Sequence, residues 1–162
     1  MVKLTLYSPK ELKETLGNNG EIAASMADFG HIPYGHTIVG QLVHIEANEY
    51  GWNSFAETLQ QFDDPSPIVV VKRGECSFVK KVRNIEHGGG KLAIVVDEKD
   101  NENAKSVTMV NDGTGNGIVI PSLLINKAPG NKLIYYIINN NPEASKIKMI
   151  AQFNINHPDN FV

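Results

Sequence analysis

Cysteine is almost missing from this sequence: Cys76 is the single one among 162 residues. An internal disulfide is therefore excluded, and so is a zinc site assembled from several thiolates. Histidine is scarce too. His31, His36, His44, His87 and His157 show neither HxxxH nor HExxH spacing, so no metal or cofactor is expected. Charge of one sign never gathers into a block. The formal net charge is −3, and no run of Lys and Arg supplies the basic stripe of a nucleic-acid binder. No apolar run approaches the ~20 residues needed to cross a bilayer. The N-terminal MVKLTLYSPKELKE alternates where a secretory signal would hold a continuous apolar core, and no N-x-[ST] sequon occurs. What remains is a chain of ordinary globular composition, long enough to bury one real core, and either cytosolic or cut from something longer.

What is present is a succession of strand and helix signals. Lys3–Tyr7 alternates as a strand with Leu4 and Leu6 on one face, and TIVGQLVHIE (Thr37–Glu46) reads as another. SPKE (Ser8–Glu11) has the form of a capping box, with Ser8 at the cap and Pro9 at the first helical position. FGHIPYG (Phe29–Gly35) carries loop punctuation, Asn53–Gln61 predicts a short helix, and DDPSP a turn. Ile68–Val71 is a continuous β-branched run, the mark of a strand buried on both faces. Phe78, Val82 and Ile85 then recur at i, i+4 and i+7, while Lys80, Lys81, Arg83 and Glu86 fall elsewhere on the wheel of an amphipathic helix. Gly88, Gly89 and Gly90 end that helix, and Leu92–Val96 is a second buried strand, completing a right-handed βαβ unit. Asp97–Gly117 is a polar loop. Ile118–Ile125 is interrupted by Pro121 and fits two short strands or a bulged edge. A helix within Asn126–Asn139 follows Pro129, with Leu133, Ile134, Ile137 and Ile138 inward and Pro142 stopping it; Ser145–Asn154 alternates as a last strand. The pattern is one α/β domain with a mixed sheet.

The chemistry concentrates in residues 72–78, KRGECSF. Cys76 stands at a helix N-terminus, where unpaired N–H groups can activate a thiol. A thiol enzyme also needs a base, and His87 at the far end of the same helix is ~15 Å away at ~1.5 Å per residue. The quieter reading is a buried cysteine acting as a small hydrophobe. The same helix start can instead hold a carboxylate or peptide carbonyls, with Gly74 removing bulk and Arg73 adding a planar donor fork. In the alternative, Arg73 pairs with Glu75 on the surface or reaches a sheet edge. Asp63, Asp64, Asp97, Glu98 and Asp112 fall in loops and read as solvated turn formers rather than an acid–base pair.

The run VVVKRGECSFVKKVRNIEHGGGKLAIVVD, followed by IPSLLINKAPGNKL, resembles the protease-associated (PA) domain over about residues 67–135. The shared features are an RGxCxF loop, a helix, a Gly-rich step to an apolar strand, and an IPS segment before a last helix. The flanks LTLYSPKELK, FGHIPYGHTIVGQLV and HPDNFV are similar to the luminal N-terminal region of vacuolar sorting receptors. Receptors of this kind carry two further cysteines where Ala24 and Trp52 stand here, so both halves of the disulfide that the resemblance would imply are absent.

The resemblance implies a mixed, open or barrel-like β-sheet with a βαβ unit and a few short flanking helices. It implies that residues 1–162 are a single PA domain cut from a larger receptor ectodomain. The implied role is non-catalytic: binding cargo proteins, or the sorting peptides of soluble hydrolases, on the luminal side of the secretory and endosomal system. Membrane attachment would reside in other parts of the full-length protein. The implied cargo-binding residues are Arg73, Gly74, Glu75, Cys76 and Ser77, with Phe78 turned into the core. Two alternatives stand beside this: a PA domain belonging to a protease or a transmembrane ubiquitin ligase, and, from another class, a small thiol hydrolase using Cys76.

Overall fold

Period-two alternation at the N-terminus becomes β1 (Val2–Ser8), with Leu4 and Leu6 buried on one face. In the computed structural model, which describes residues 2–140 and 147–155, seven further strands join it. They are β2 (Glu21–Ile22), β3 (Ala24–Met26), β4 (Thr37–Val43), β5 (Ile68–Lys72), β6 (Leu92–Val96), β7 (Ser122–Ile125) and β8 (Lys148–Phe153). All eight form one sheet in the order β2-β1-β8-β4-β5-β6-β7-β3. β4 to β7 run parallel, and the remaining pairings are antiparallel. β2 and β3 are separated by Ala23 alone. The first half of this bent segment pairs with β1 and the second with β7, so the two ends of the sheet meet and it curls into a barrel. The mixed, barrel-like sheet with a βαβ unit is what forms.

The continuous apolar runs are buried on both faces because both faces are covered. Ile68, Val70, Leu92, Ile94 and Val96 enter one core cluster together with Leu12 of α1 (Lys10–Leu16) and Leu133, Ile134 and Ile137 of α3 (Lys127–Asn139). Val69, Val71, Ala93 and Val95 enter a second cluster, beneath Val79, Val82 and Ile85 of α2 (Phe78–His87). Each fully buried Val or Ile contributes about 1.5–3 kcal/mol.

Several local expectations are corrected. The SPKE capping box does not form as read: Pro9 holds the cap position of α1 without a side-chain bond. Ser8 pairs with Lys148 across the sheet, which fixes it as the end of β1. Asn53–Gln61 gives turns and one 3₁₀ turn, Leu59–Gln61, because the Asn48 side chain ties the Asn53 backbone into a loop from both its amide and its carbonyl. β7 begins only after Pro121, which has no N–H for the ladder, and it lies between β6 and β3 rather than at an edge. α3 starts at Lys127, so Pro129 falls in its first turn, where a missing N–H costs little. Ile138 is 42% exposed rather than inward. Phe78 is half-buried, and Val79 takes the core position beside Val82. The readings at Pro142, at Ser145 and at His157 lie outside the described residues.

Candidate functional site

Parallel strands deliver their C-terminal ends to the same rim of a sheet, and that rim is where α/β folds gather ligand-binding loops. Here β5 and β6 end side by side, Lys72 opposite Val96, and the Arg73 amide continues the ladder to Val96 O at 2.9 Å. Arg73–Ser77 leaves from β5, and Asp97–Glu98 from β6. Gly74 has φ +113 and Glu75 φ +67, and the Cys76 amide donates back to Gly74 O at 2.8 Å. This is a tight three-residue turn around a non-glycine residue in the left-handed region, a conformation that costs of order 1–2 kcal/mol. Ser77 then caps α2, its Oγ accepting from the Lys80 amide at 3.1 Å.

The turn is held by a residue that wheel reasoning placed in solvent. Lys81 is 0% exposed. Its Nζ donates to Gly74 O at 2.5 Å, to Tyr50 O at 2.8 Å and to Cys76 Sγ at 3.4 Å. All three ammonium protons are thus matched, the condition under which a buried charge is tolerated. Burial pushes the Lys81 amine below the usual lysine range, opposed by Cys76, Glu75 and Glu98 nearby. The Cys76 thiol also donates to Tyr50 O, at 3.6 Å. Tyr50 reaches the helix because Gly51 (φ +70) lets the backbone close on it: a Cβ there would sit 3.3 Å from Lys81 Cβ. The rest of the helix's polar face is equally occupied. Asn84 Nδ2 donates to Gly51 O (2.8 Å) and Trp52 O (3.1 Å), and Lys80 Nζ sits 3.9 Å from the Trp52 ring centroid. On the other flank Arg83 donates to Thr114 O and Asn116 O, and Glu86 Oε2 accepts from the amides of Val119 (2.6 Å) and Ile120 (3.0 Å).

Arg73 takes a partner that sequence reasoning did not weigh. Its Nη1 donates to Asp97 Oδ1 at 2.9 Å, and its guanidinium carbon lies 5.1 Å from the Phe78 ring centroid. Asp97 is not a solvated turn former: its side chain is 0% exposed. Burial alone would raise its carboxyl, but hydrogen bonds from Asn101 Nδ2 (3.0 Å), Arg73 and the Glu98 amide (2.7 Å) prevail and hold it below the usual carboxylate range. Asp64 is likewise structural, accepting from the Ser66 and Gln41 amides and from Lys148 Nζ. Glu98 and Asp112 are exposed, as expected of loop acids.

The five residues expected to bind, Arg73, Gly74, Glu75, Cys76 and Ser77, are brought together on one loop. All but Glu75 line an open groove of ≈ 300 Å³. Phe78 and Val110 add apolar surface to its lining, and Glu98 and Asp112 add two acidic side chains. Among the described residues, no group of three His, Cys, Asp or Glu is placed to hold a metal ion, and no helix is long and apolar enough to cross a membrane. Lys81 and Asp97 are the site residues that sequence reasoning missed.

Comparison with known proteins converges on this same segment. The PA domain family matches residues 38–133, well over half of the chain. Vacuolar-sorting receptor 1 of Pisum sativum is 28% identical over 135 residues, covering 80% of this chain and 21% of the receptor. A receptor homology region, transmembrane domain- and RING domain-containing protein 2 of Arabidopsis thaliana is 34% identical over 77 residues, 48% of this chain and 16% of that protein. The chain therefore spans about a fifth or less of the relatives it matches. Among solved structures, an aminopeptidase from Aneurinibacillus sp. strain AM-1 superposes over 95% of this chain and 30% of its own with a TM-score of 0.63 at 18% identity, a likeness of fold. With the family pattern, the barrel-like α/β sheet and the RGxCxF loop at its strand ends all in agreement, the chain belongs to the PA domain family.

Proposed function

We propose that this PA domain is a non-catalytic peptide-binding module: the cargo-recognition domain of a sorting receptor for soluble hydrolases, working on the luminal side of the secretory and endosomal system. The observation that carries the reading is the Arg73–Ser77 loop itself. It is held in a strained turn by a buried ammonium and forms one wall of an open groove. Strain fixed by surrounding structure is characteristic of ligand-holding segments. Backbone groups and the apolar lining of Phe78 and Val110 suit a peptide whose side chains vary. Arg73 commits Nη1 to Asp97 and keeps further donors in a side chain 38% exposed. Similarity to vacuolar-sorting receptors over 80% of the chain supports the receptor assignment.

Titration of one fluorescent sorting peptide against two variants tests it. Cys76→Ser should bind within a few-fold of wild type, since a hydroxyl can accept from Lys81 as the sulfur does. Arg73→Ala should weaken a carboxylate-bearing peptide by ~1.5–3 kcal/mol, the worth of a charged hydrogen bond. Absence of binding to any such peptide, or loss with Cys76→Ser alone, defeats the reading.

A second reading keeps the module and changes its carrier. The 34% identity to a RING domain-containing protein favours a PA domain in the ectodomain of a membrane ubiquitin ligase. The sequence of the whole protein separates the two. The thiol-hydrolase reading needs Cys76 to turn over substrate: fast stoichiometric alkylation together with hydrolysis of a generic ester or peptide would establish it in place of binding.

A further inference from the structure

Cys76 and Lys81 meet across the junction of loop and helix, Nζ 3.4 Å from Sγ. Their environments differ in a way that matters chemically. The thiol is half-buried, so a small oxidant can reach the sulfur. Lys81 is 0% exposed, so its amine is shielded from reagents in solution, and of its three hydrogen-bond partners the sulfur is the one that oxidation makes electrophilic. Cys76 is also the only thiol in the chain, so an oxidised sulfur has no second cysteine with which to close an internal disulfide. A sulfenic acid condenses with a nucleophile within reach, thiol or nitrogen, and Lys81 Nζ is the side-chain nitrogen in contact with it.

We propose that Cys76 and Lys81 form an oxidation-dependent cross-link site, in which a hydroperoxide couples the thiol sulfur to the lysine amine and thereby resets the Arg73–Ser77 loop. In the first step the peroxide O–O bond breaks, sulfur loses two electrons, and Cys76–SH with ROOH becomes Cys76–SOH and ROH. In the second, the neutral Lys81 amine attacks sulfur and the S–O bond breaks. Hydroxide leaves with a proton from nitrogen as water, and an S–N bond remains. Burial favours the neutral amine that this step requires.

The consequence for the loop follows from counting donors. The ammonium holds Gly74 O and Tyr50 O at once, whereas a sulfenamide nitrogen has one N–H. One of the two carbonyls must give up its bond to Lys81 Nζ, which leaves the Gly74–Cys76 turn held by the Cys76 amide alone or loosens the contact to the Tyr50 segment. The groove wall therefore answers to oxidation, whichever ligand the groove accepts.

The test treats the wild-type chain with stoichiometric hydrogen peroxide and reads intact mass, then maps tryptic fragments. The expected product is lighter than the reduced chain by two hydrogens, returns to the starting mass with dithiothreitol, and carries Lys81 joined to Cys76 so that trypsin no longer cuts after Lys81. Cys76→Ser should give none of it. Lys81→Arg, which keeps a charge but lacks the primary amine, should accumulate sulfenic acid trappable by dimedone. Sulfinic or sulfonic acid as the only wild-type products, a disulfide-linked dimer, or a product of the same mass with Lys81 still cleavable (a bond to backbone nitrogen) would each overturn the assignment. None of these readouts depends on peptide binding.

Discussion

Replacing Lys81 by Met isolates what the buried ammonium does. The methionine side chain retains the apolar stem and roughly the volume, so the packing beside Gly51 is kept and the charge with its three donated bonds is removed. Gly74 O and Tyr50 O lose their bond from the ammonium, while Gly74 O keeps the Cys76 amide at 2.8 Å and Tyr50 O the Cys76 thiol at 3.6 Å. Neither acceptor is stranded, so what is lost is two hydrogen bonds from a charged donor at ~1.5–3 kcal/mol each, toward the lower end because both residues are half-buried, about 3–4 kcal/mol together. Against this stands the desolvation of an ammonium at a fully buried position, several kcal/mol even after relaxation, which the variant no longer bears. The opposing effects are of similar size. Global stability should therefore stay within about 2 kcal/mol of wild type, while the Arg73–Cys76 turn loses its anchor. Urea unfolding measures the first, and amide hydrogen exchange of residues 73–77 the second.

The pH dependence adds a signature. The folded-state pKa of Lys81 is lowered, so the unfolded chain binds the proton more tightly and wild-type stability rises as pH climbs from the folded value toward ~10.4. Lys81→Met should lose that rise. A stability loss above about 4 kcal/mol, or unchanged exchange in the turn, would refute the reasoning that the lysine shapes the loop more than it supports the fold.

Other perturbations follow from the same geometry. Asp97→Asn should cost about 1.5–3 kcal/mol by weakening charged hydrogen bonds to Arg73 and Asn101. Because the Asp97 pKa is lowered in the fold, its contribution is full above ~3.9 and is lost as pH falls through the folded value; acid titration of Tm should be shallower in the variant. Gly130→Ala should destabilise by about 1–3 kcal/mol despite alanine's better helix propensity, since its Cβ would fall 2.2 Å from Val96 Cγ1; thermal melts check this. Burial lowers the pKa of His44, whose Nδ1 is 2.8 Å from Val70 O and whose Nε2 is buried with no partner among the described residues. Wild type should therefore lose stability as pH drops below ~6.5, and His44→Phe should flatten that decline in urea midpoints taken from pH 7 to pH 5. Glu75→Val should cost about 1–2 kcal/mol more than Glu75→Gly, because only glycine takes φ +67 freely.

Much of the fold could be read because its signals are local. Ile68–Lys72 and Leu92–Val96 are short β-branched runs, and nothing but a strand covered on both faces accommodates them. The loop of Arg73–Ser77 could be placed because it must connect such a strand to an amphipathic helix. What escaped depends on contacts distant in sequence. On the helical wheel, Lys81 is a polar residue on the polar face. Its burial is decided by Tyr50, thirty-one positions earlier, and by a glycine beside that residue that lets the backbone approach. Asp97 reads as the first residue of a loop, but its side chain is out of water and bonded to Arg73, twenty-four positions earlier, and to Asn101. The capping box at Ser8 failed for the same reason: pairing with Lys148 across the sheet outweighs a local helix signal.

Joining β2 to β3 through Ala23 has a further consequence for how any partner can attach. An open sheet offers a row of free amides and carbonyls to which an extended segment can add as another strand, the route by which many modules take peptides and by which unprotected sheets aggregate. Here each end of the strand order is a stub of two or three residues, and the same bent segment closes the gap between β1 and β7. Strand addition has little rail to run along. Under the proposed peptide-binding reading, a visiting chain would be read by the loops standing on the strand ends, which can diverge in length and sequence while the curled sheet beneath them serves as an unchanging pedestal.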